Sequence, residues 1–221
     1  MMLFDRLKTA NEEAWSAYIA HDFVKGMQTG QLPKPAFEFY LKQDYLFLIH
    51  FARAYSLAAY KSETLEQMKA ATATVSALIE TEMALHVQYC AEWGISEAEM
   101  QAIEEAPENM AYTRFVLEKG LSGDILDLYV ALAPCVIGYG EIGQTVAASD
   151  QTLKEGNPFL PWIEMYAGEE YQEVREAAVT QLDTLAQTRF TDARFESLSK
   201  TFRQATLLEV GFWQMGLDVV G

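Results

Sequence analysis

The chain has 221 residues, half of them hydrophobic and 12% aromatic, enough to bury one large core and short for two independent ones. Asp and Glu outnumber Lys and Arg by 32 to 16, a formal charge of −16 that repels phosphate backbones and anionic lipid. No window gathers enough basic residues to reverse this, so a nucleic-acid or membrane-surface role is excluded and a neutral or cationic ligand is expected.

Apolar residues recur every three to four positions almost throughout, which predicts an all-α chain organised as a single domain over residues 1–221. The N-terminal segment mixes charged and apolar residues and does not resemble a signal peptide. Pro33 and Pro35 open a helix expected to run to about Lys61, and Thr64 with Gln67 forms a capping box for the next, which should end at Gly94. Ser96 with Glu99 caps a short segment. Pro107 opens a helix that should stop at Gly120, and Asp124 begins a long one reaching about Ser149. Asn157 before Pro158 reads as an N-cap with proline at the first helical position, leading a pair of helices to about Gln187, and the last helix spans about Thr191 to Val219. Without repeats or linkers, seven to nine helices are expected to share one core. The longest mostly apolar stretch, Leu128 to Tyr139, is about a dozen residues against the roughly 20 of a membrane span, so no span is expected.

Polar residues on buried stripes carry the functional signal, because an unpaired carboxylate in a core costs several kcal/mol. One stripe is Phe37, Tyr40, Asp44, Phe47, Phe51 and Tyr55; another is Phe195, Leu198, Phe202, Ala205, Glu209 and Phe212. Each sets one acid among aromatic rings, where its pKa should rise. Val75, Ile79, Glu82, His86 and Tyr89 align on a third, with Glu82 and His86 read as a structural pair. On the fourth, Leu128, Leu132, Cys135, Tyr139 and Ile142, a thiol and a phenol lie one turn apart. Buried cysteine is ordinarily inert filler, but Pro134 directly before it and Gly138 and Gly140 after it weaken the helix and suggest a pocket. Cys90 and Cys135 lack metal-type spacing, and neither a disulfide nor a zinc site is expected, in keeping with a reducing cytoplasm. A di-iron site would need Glu three residues before a histidine, and His21, His50 and His86 all lack it. Haem ligation through His21 stays open as an alternative.

Taken together, HDFVKGM, GQLPKPAFEFYLKQDYLF, ETEMALH, AYTRF, LAPCVIGYGEIG, FLPWIEMYAG and LLEVGFWQMG resemble, in order and spacing, the thiaminase II (TenA) family over nearly the whole chain. The presence of Cys135 matches its cysteine-bearing branch. The resemblance implies a haem-oxygenase-like helical bundle, a homotetramer without metal or organic cofactor, and hydrolysis of 4-amino-5-aminomethyl-2-methylpyrimidine to the hydroxymethyl pyrimidine in thiamin salvage, with thiamin as a slower substrate. Carried over by residue, Cys135 matches the nucleophile, Glu209 the acid/base and Asp44 the carboxylate that binds the pyrimidine and supports the thiol. Tyr112, Tyr139, Tyr166 and Phe212 match aromatic walls, and Phe47 stands in the pocket where many members carry tyrosine. The chain further departs from the pattern at Asp22, usually proline, and at Gly138 and Gly140, usually bulky, which bears on the preferred substrate. A non-catalytic pyrimidine-binding or regulatory protein on the same fold is the alternative.

Overall fold

The computed structural model describes residues 2–220, and among them the regular structure is entirely helical. Before Pro33 the chain makes three eight-residue helices, α1 Leu3–Ala10, α2 Glu12–Ile19 and α3 Asp22–Thr29. The third ends at Gly30, whose φ of 72° is a left-handed stop that glycine adopts without Cβ strain. Next come α4 Lys34–Lys61, α5 Leu65–Ser76, a π-helical turn Ala77–Glu82, α6 Met83–Glu92 and α7 Glu97–Ala102. The remainder is α8 Pro107–Ser122, α9 Ile125–Ala148, α10 Leu160–Ala167, α11 Glu169–Arg189 and α12 Asp192–Asp218. Among the described residues, twelve α-helices replace the seven to nine expected, chiefly because the N-terminal segment breaks into short ones.

Most of the boundaries follow the local chemistry. Ser96 and Glu99 close a complete capping box, and Asp124 caps α9 through the backbone N–H groups of Leu126 and Asp127 while Asp127 accepts from the Asp124 N–H. Three readings need correction. Thr64 accepts from the Gln67 N–H, but the Gln67 side chain accepts from Glu63, so the box there is half formed. Gly120 does not stop α8, because it is the close-contact point of that helix against Leu57 and Leu128. Asn157 accepts from the Phe159 N–H and donates to the Met27 carbonyl, making a turn pinned to α3, so the helix begins at Leu160 with Pro161 in its first turn.

The core forms around α9, which packs against α8, α10, α11 and α12. By length and composition α9 could cross a membrane, more than the dozen-residue stretch suggested, yet 83% of its most apolar window is buried inside the bundle. It is the central helix of the core. Its glycines set how near the neighbours come. A Cβ on Gly138 would collide with Cε1 of Tyr18 on α2, and one on Gly143 would lie 2.5 Å from the backbone carbonyl carbon of Tyr166 on α10. A Cβ on Gly140 would meet the Arg175 stem. Gly138 and Gly140 therefore serve helix packing and line neither of the cavities described below, while the pocket that the segment around Cys135 suggests is present with Cys135 in its wall.

Three of the four stripes lie inside as the period requires. On α4, Phe37, Tyr40, Asp44, Phe47, Phe51 and Tyr55 are all buried. On α12 the run from Leu198 to Phe212 is buried, and on α9 only Cys135 is partly open. The stripe through Val75, Ile79 and Glu82 fails, Ile79 being 58% exposed while Leu78 is buried. The π-helical turn adds a residue without adding a full α-helical step of rotation, so the faces before and after it no longer line up.

Because the Tyr166 backbone cannot yield as a flexible side chain could, Gly143→Ala should destabilise the fold by about 1–3 kcal/mol through overpacking. Urea unfolding followed by circular dichroism measures this; an unchanged midpoint would show that α10 has room to retreat.

Candidate active site

Two cavities adjoin, and α9 lines the smaller of them. The larger, about 600 Å³, lies between α4, α6, α10 and α11; the smaller, about 320 Å³, has Cys135 in its wall. They share Asp44, Leu48, Glu82, Tyr166, Tyr171 and Val174. Neither wall contains a Lys or Arg. Among the described residues, no group of three or more His, Cys, Asp or Glu is arranged to hold a metal ion.

The period of α4 directs Asp44 into this space from among aromatic rings, leaving it 9% exposed. Burial raises its pKa to about 7. His86 faces it from α6, Nδ1 lying 3.4 Å from Asp44 Oδ2. The other ring nitrogen, Nε2, donates to the Leu41 carbonyl at 2.9 Å, which leaves Nδ1 as the nitrogen turned toward Asp44. Burial lowers the His86 pKa and favours the neutral imidazole, whose Nδ1 then faces a carboxyl shared between its protonated and ionised forms near neutrality. The partner of His86 is thus Asp44 and not Glu82, although Glu82 and His86 both line the larger cavity. Glu82 instead lines both cavities; although open to them, it has its pKa raised to about 6 by the surrounding protein, with Asp44 adding to the effect.

Cys135 is partly open and unpaired by disulfide. Burial of the sulfur, reinforced by Glu209, Asp44 and Glu82, pushes its pKa well above the ordinary thiol value. The resting group is therefore a thiol, and it becomes a nucleophile only as a neighbouring base takes its proton. Tyr139 and Tyr166 also line the smaller cavity; their rings lie 5.0 Å apart, and Trp162 packs 4.5 Å from Tyr166.

Glu209, Tyr112 and Phe212 occupy a deeper layer and line neither cavity. Phe47 lies between, stacked 5.4 Å from the Tyr112 ring and edge-on to Phe212 at 5.5 Å. Glu209, 1% exposed, accepts a 2.8 Å hydrogen bond from the Tyr112 hydroxyl. Burial pushes its pKa up to about 8; the Tyr112 bond lowers it in part and Asp44 raises it. Asp44, Cys135, Phe47, Tyr139 and Tyr166 are thus brought together at one cavity, with Glu209, Tyr112 and Phe212 directly behind Phe47. Sequence reasoning missed Tyr171, whose ring is shared by both cavities and whose hydroxyl donates to the Val136 carbonyl at 3.3 Å. The polar surroundings of Tyr171 on α11 gave no period by which to single it out.

The model of the TENA/THI-4/PQQC family matches residues 9–219. The aminopyrimidine aminohydrolase of Halalkalibacterium halodurans is 36% identical over 92% of this chain and 90% of its own. A crystal structure described as a TenA family transcription regulator from Silicibacter sp. TM1040 superposes with a TM-score of 0.92 at 49% identity, covering 97% of this chain and 96% of that one. A domain with a heme oxygenase-like fold from Shewanella denitrificans, only 11% identical, superposes with a TM-score of 0.76 over 98% of this chain and 93% of its own, which makes the architecture of that class.

The raised carboxyls have a consequence for stability. The folded protein holds the Glu209 proton more tightly than the unfolded chain, whose glutamates titrate near 4.3, so this contribution is full below about pH 4 and is lost as pH rises toward about 8. Wild type should lose a few kcal/mol relative to Glu209→Gln between about pH 5 and about pH 8. Urea titrations of both proteins at the two pH values measure this, and parallel pH dependences would mean that Glu209 is not protonated in the fold.

Proposed function

We propose that this chain, which belongs to the TENA/THI-4/PQQC family, hydrolyses 4-amino-5-aminomethyl-2-methylpyrimidine to the hydroxymethyl pyrimidine and ammonia, with Cys135 as nucleophile. The observation that carries the reading is the thiol in an aromatic cavity wall beside Asp44, with the protonated carboxyl of Glu209 one ring behind. A flat heterocycle is held by aromatic faces, here those of Tyr139, Tyr166 and Phe47, with Tyr112 and Phe212 behind.

Amine departure from a methylene on an aromatic ring is slow. It becomes accessible when sulfur adds to the ring and a ring nitrogen is protonated, because the dearomatised ring can then expel the amine. Asp44, titrating near neutrality, accepts the thiol proton as the carbon–sulfur bond forms. Glu209, protonated at neutral pH, donates to the ring nitrogen. The carbon–nitrogen bond of the substrate ammonium breaks with its electron pair going to nitrogen and releases ammonia. Water adds to the exocyclic methylene and gives its proton to solvent, and the thiolate leaves as the ring regains aromaticity, the ring proton returning to Glu209 and the thiol proton from Asp44 to sulfur. For the ring nitrogen to meet Glu209, Phe47 must swing out of its stack with Tyr112. The same route serves thiamin, with a thiazole as the departing group.

Four copies are proposed to assemble in the cytoplasm. Support comes from exposed apolar side chains on consecutive elements, Tyr60, Leu65, Met68, Ile79 and Leu85, an apolar surface that a partner would cover. Gel filtration should give about four times the 24.9 kDa chain mass. A regulatory reading has one observation in its favour, the description of the Silicibacter neighbour. It requires pyrimidine binding without turnover.

Incubation of the purified chain with the aminomethyl pyrimidine separates the readings, since the proposed function yields hydroxymethyl product and ammonia and the regulatory one yields neither. Cys135→Ser should lower kcat by about a hundredfold or more while ligand binding persists, and Cys90→Ser should remain active. Glu209→Gln should reduce kcat by about 10² to 10⁴ with little change in affinity, whereas Asp44→Asn should weaken both. A Cys135→Ser enzyme that retains more than about a tenth of the rate would exclude covalent catalysis by this residue.

A further inference from the structure

Glu82 differs from the other acids of the site. Asp44 has His86, and Glu209 has the Tyr112 hydroxyl. Glu82 lines both cavities and is open to solvent, its pKa raised to about 6 by the protein around it and by the repulsive charge of Asp44, and no hydrogen bond or cation among the described residues meets its carboxyl. The larger cavity adds Glu92 and Glu170 and the rings of Tyr40, Tyr89 and Trp162, again without a Lys or Arg. A solvent-accessible carboxylate without a protein partner, set in an aromatic wall that holds no Lys or Arg, can pair with an organic cation that enters the cavity, and aromatic faces add cation–π attraction.

The backbone gives Glu82 this place. It is the last residue of the π-helical turn Ala77–Glu82, and the shifted phase after that turn presents residue 82 to the cavities while Ile79 faces outward. π-helical turns inside α-helices occur frequently at functional sites.

We infer that Glu82 is a specificity-determining residue that reads the charge of the departing group, holding the ammonium of a cationic aminomethyl substrate and disfavouring its neutral N-acyl counterpart. The inference rests on the pyrimidine-hydrolysis reading above. Cys135 lies in the smaller cavity and Glu82 in the wall common to both, so a ring held beside the thiol can direct its aminomethyl arm at Glu82. An ammonium kept protonated there departs as neutral ammonia when the carbon–nitrogen bond breaks, its electron pair going to nitrogen. Glu82 itself neither gains nor loses a proton.

The test compares wild type, Glu82→Gln and Glu82→Asp on 4-amino-5-aminomethyl-2-methylpyrimidine and on its neutral N-formyl derivative, at about pH 8, where Glu82 is ionised. The ratio of kcat/KM for the cation to that for the neutral compound should fall by about tenfold or more in Glu82→Gln, mainly through KM, and largely persist in Glu82→Asp. An unchanged ratio in Glu82→Gln overturns the inference. If wild type turns over neither compound, the hydrolysis reading itself has failed, and calorimetric titration with benzylamine and benzyl alcohol decides on Glu82 alone. Benzylammonium should then bind wild type more tightly than the alcohol and lose that preference in Glu82→Gln. Equal binding of the two by wild type overturns the inference.

Discussion

Three carboxyls and a thiol share an aromatic interior whose cavity walls carry neither Lys nor Arg. In such surroundings each ionisation discourages the next, so the protein must retain protons that water would remove. The order of retention is set by place. Glu82, open to the cavities, releases its proton first, near 6; Asp44, against a neutral imidazole, follows near 7; Glu209, deepest and bonded to a phenol, holds on to about 8. Chemically similar groups thereby become an anion, a base near its midpoint and an acid within one site. The thiol, whose ionisation is opposed by all three, stays neutral until bond formation gives its electrons somewhere to go.

Such an arrangement needs a scaffold that does not relax, and α9 supplies it. It is surrounded by four other helices, and glycine contacts with α2 and α10 bring those elements closer than any side chain would permit. Gln172 on α11 donates to both the Gly140 and Tyr166 carbonyls, at 2.9 and 2.8 Å, tying α9, α10 and α11 at the level of the aromatic wall. The positions of Cys135 and Tyr166 therefore follow from backbone contacts more than from side-chain fit, which suits a wall meant to present flat ring faces.

How much of this could be read in the chain depended on the regularity of each helix. The stripes of α4, α9 and α12 keep the α-helical period from end to end, and Asp44, Cys135 and Glu209 were accordingly conspicuous as polar interruptions. The third stripe failed because periodicity assumes 3.6 residues per turn, and the π-helical turn breaks that assumption without any proline or glycine to mark it. Asn157 before Pro158 has the composition of a helix start, yet its side chain is committed to the Met27 carbonyl, a partner 130 residues away that no local rule could supply. The roles of Gly138 and Gly140 were hidden for a related reason: a glycine in a helix says that something comes close but not from which direction. The layering of Phe47 over Tyr112 and Phe212 depends on the crossing of α4, α8 and α12, to which a single stripe is blind.

The π-helical turn also bears on how such a site could diverge. A π turn differs from an α turn by one residue, so a single deletion within Ala77–Glu82 would restore the ordinary helical phase and rotate residue 82 out of the cavity wall. Most of the surrounding segment is exposed, with Ala71, Leu78 and Cys90 as its buried anchors, so the core would absorb the change at modest cost. Substitution alters which group stands at a position; here a change in length alters which position stands at the cavity. Lineages carrying this fold thus have a route to new pocket linings through indels in one solvent-facing helix, leaving the thiol and its two deep acids where they are.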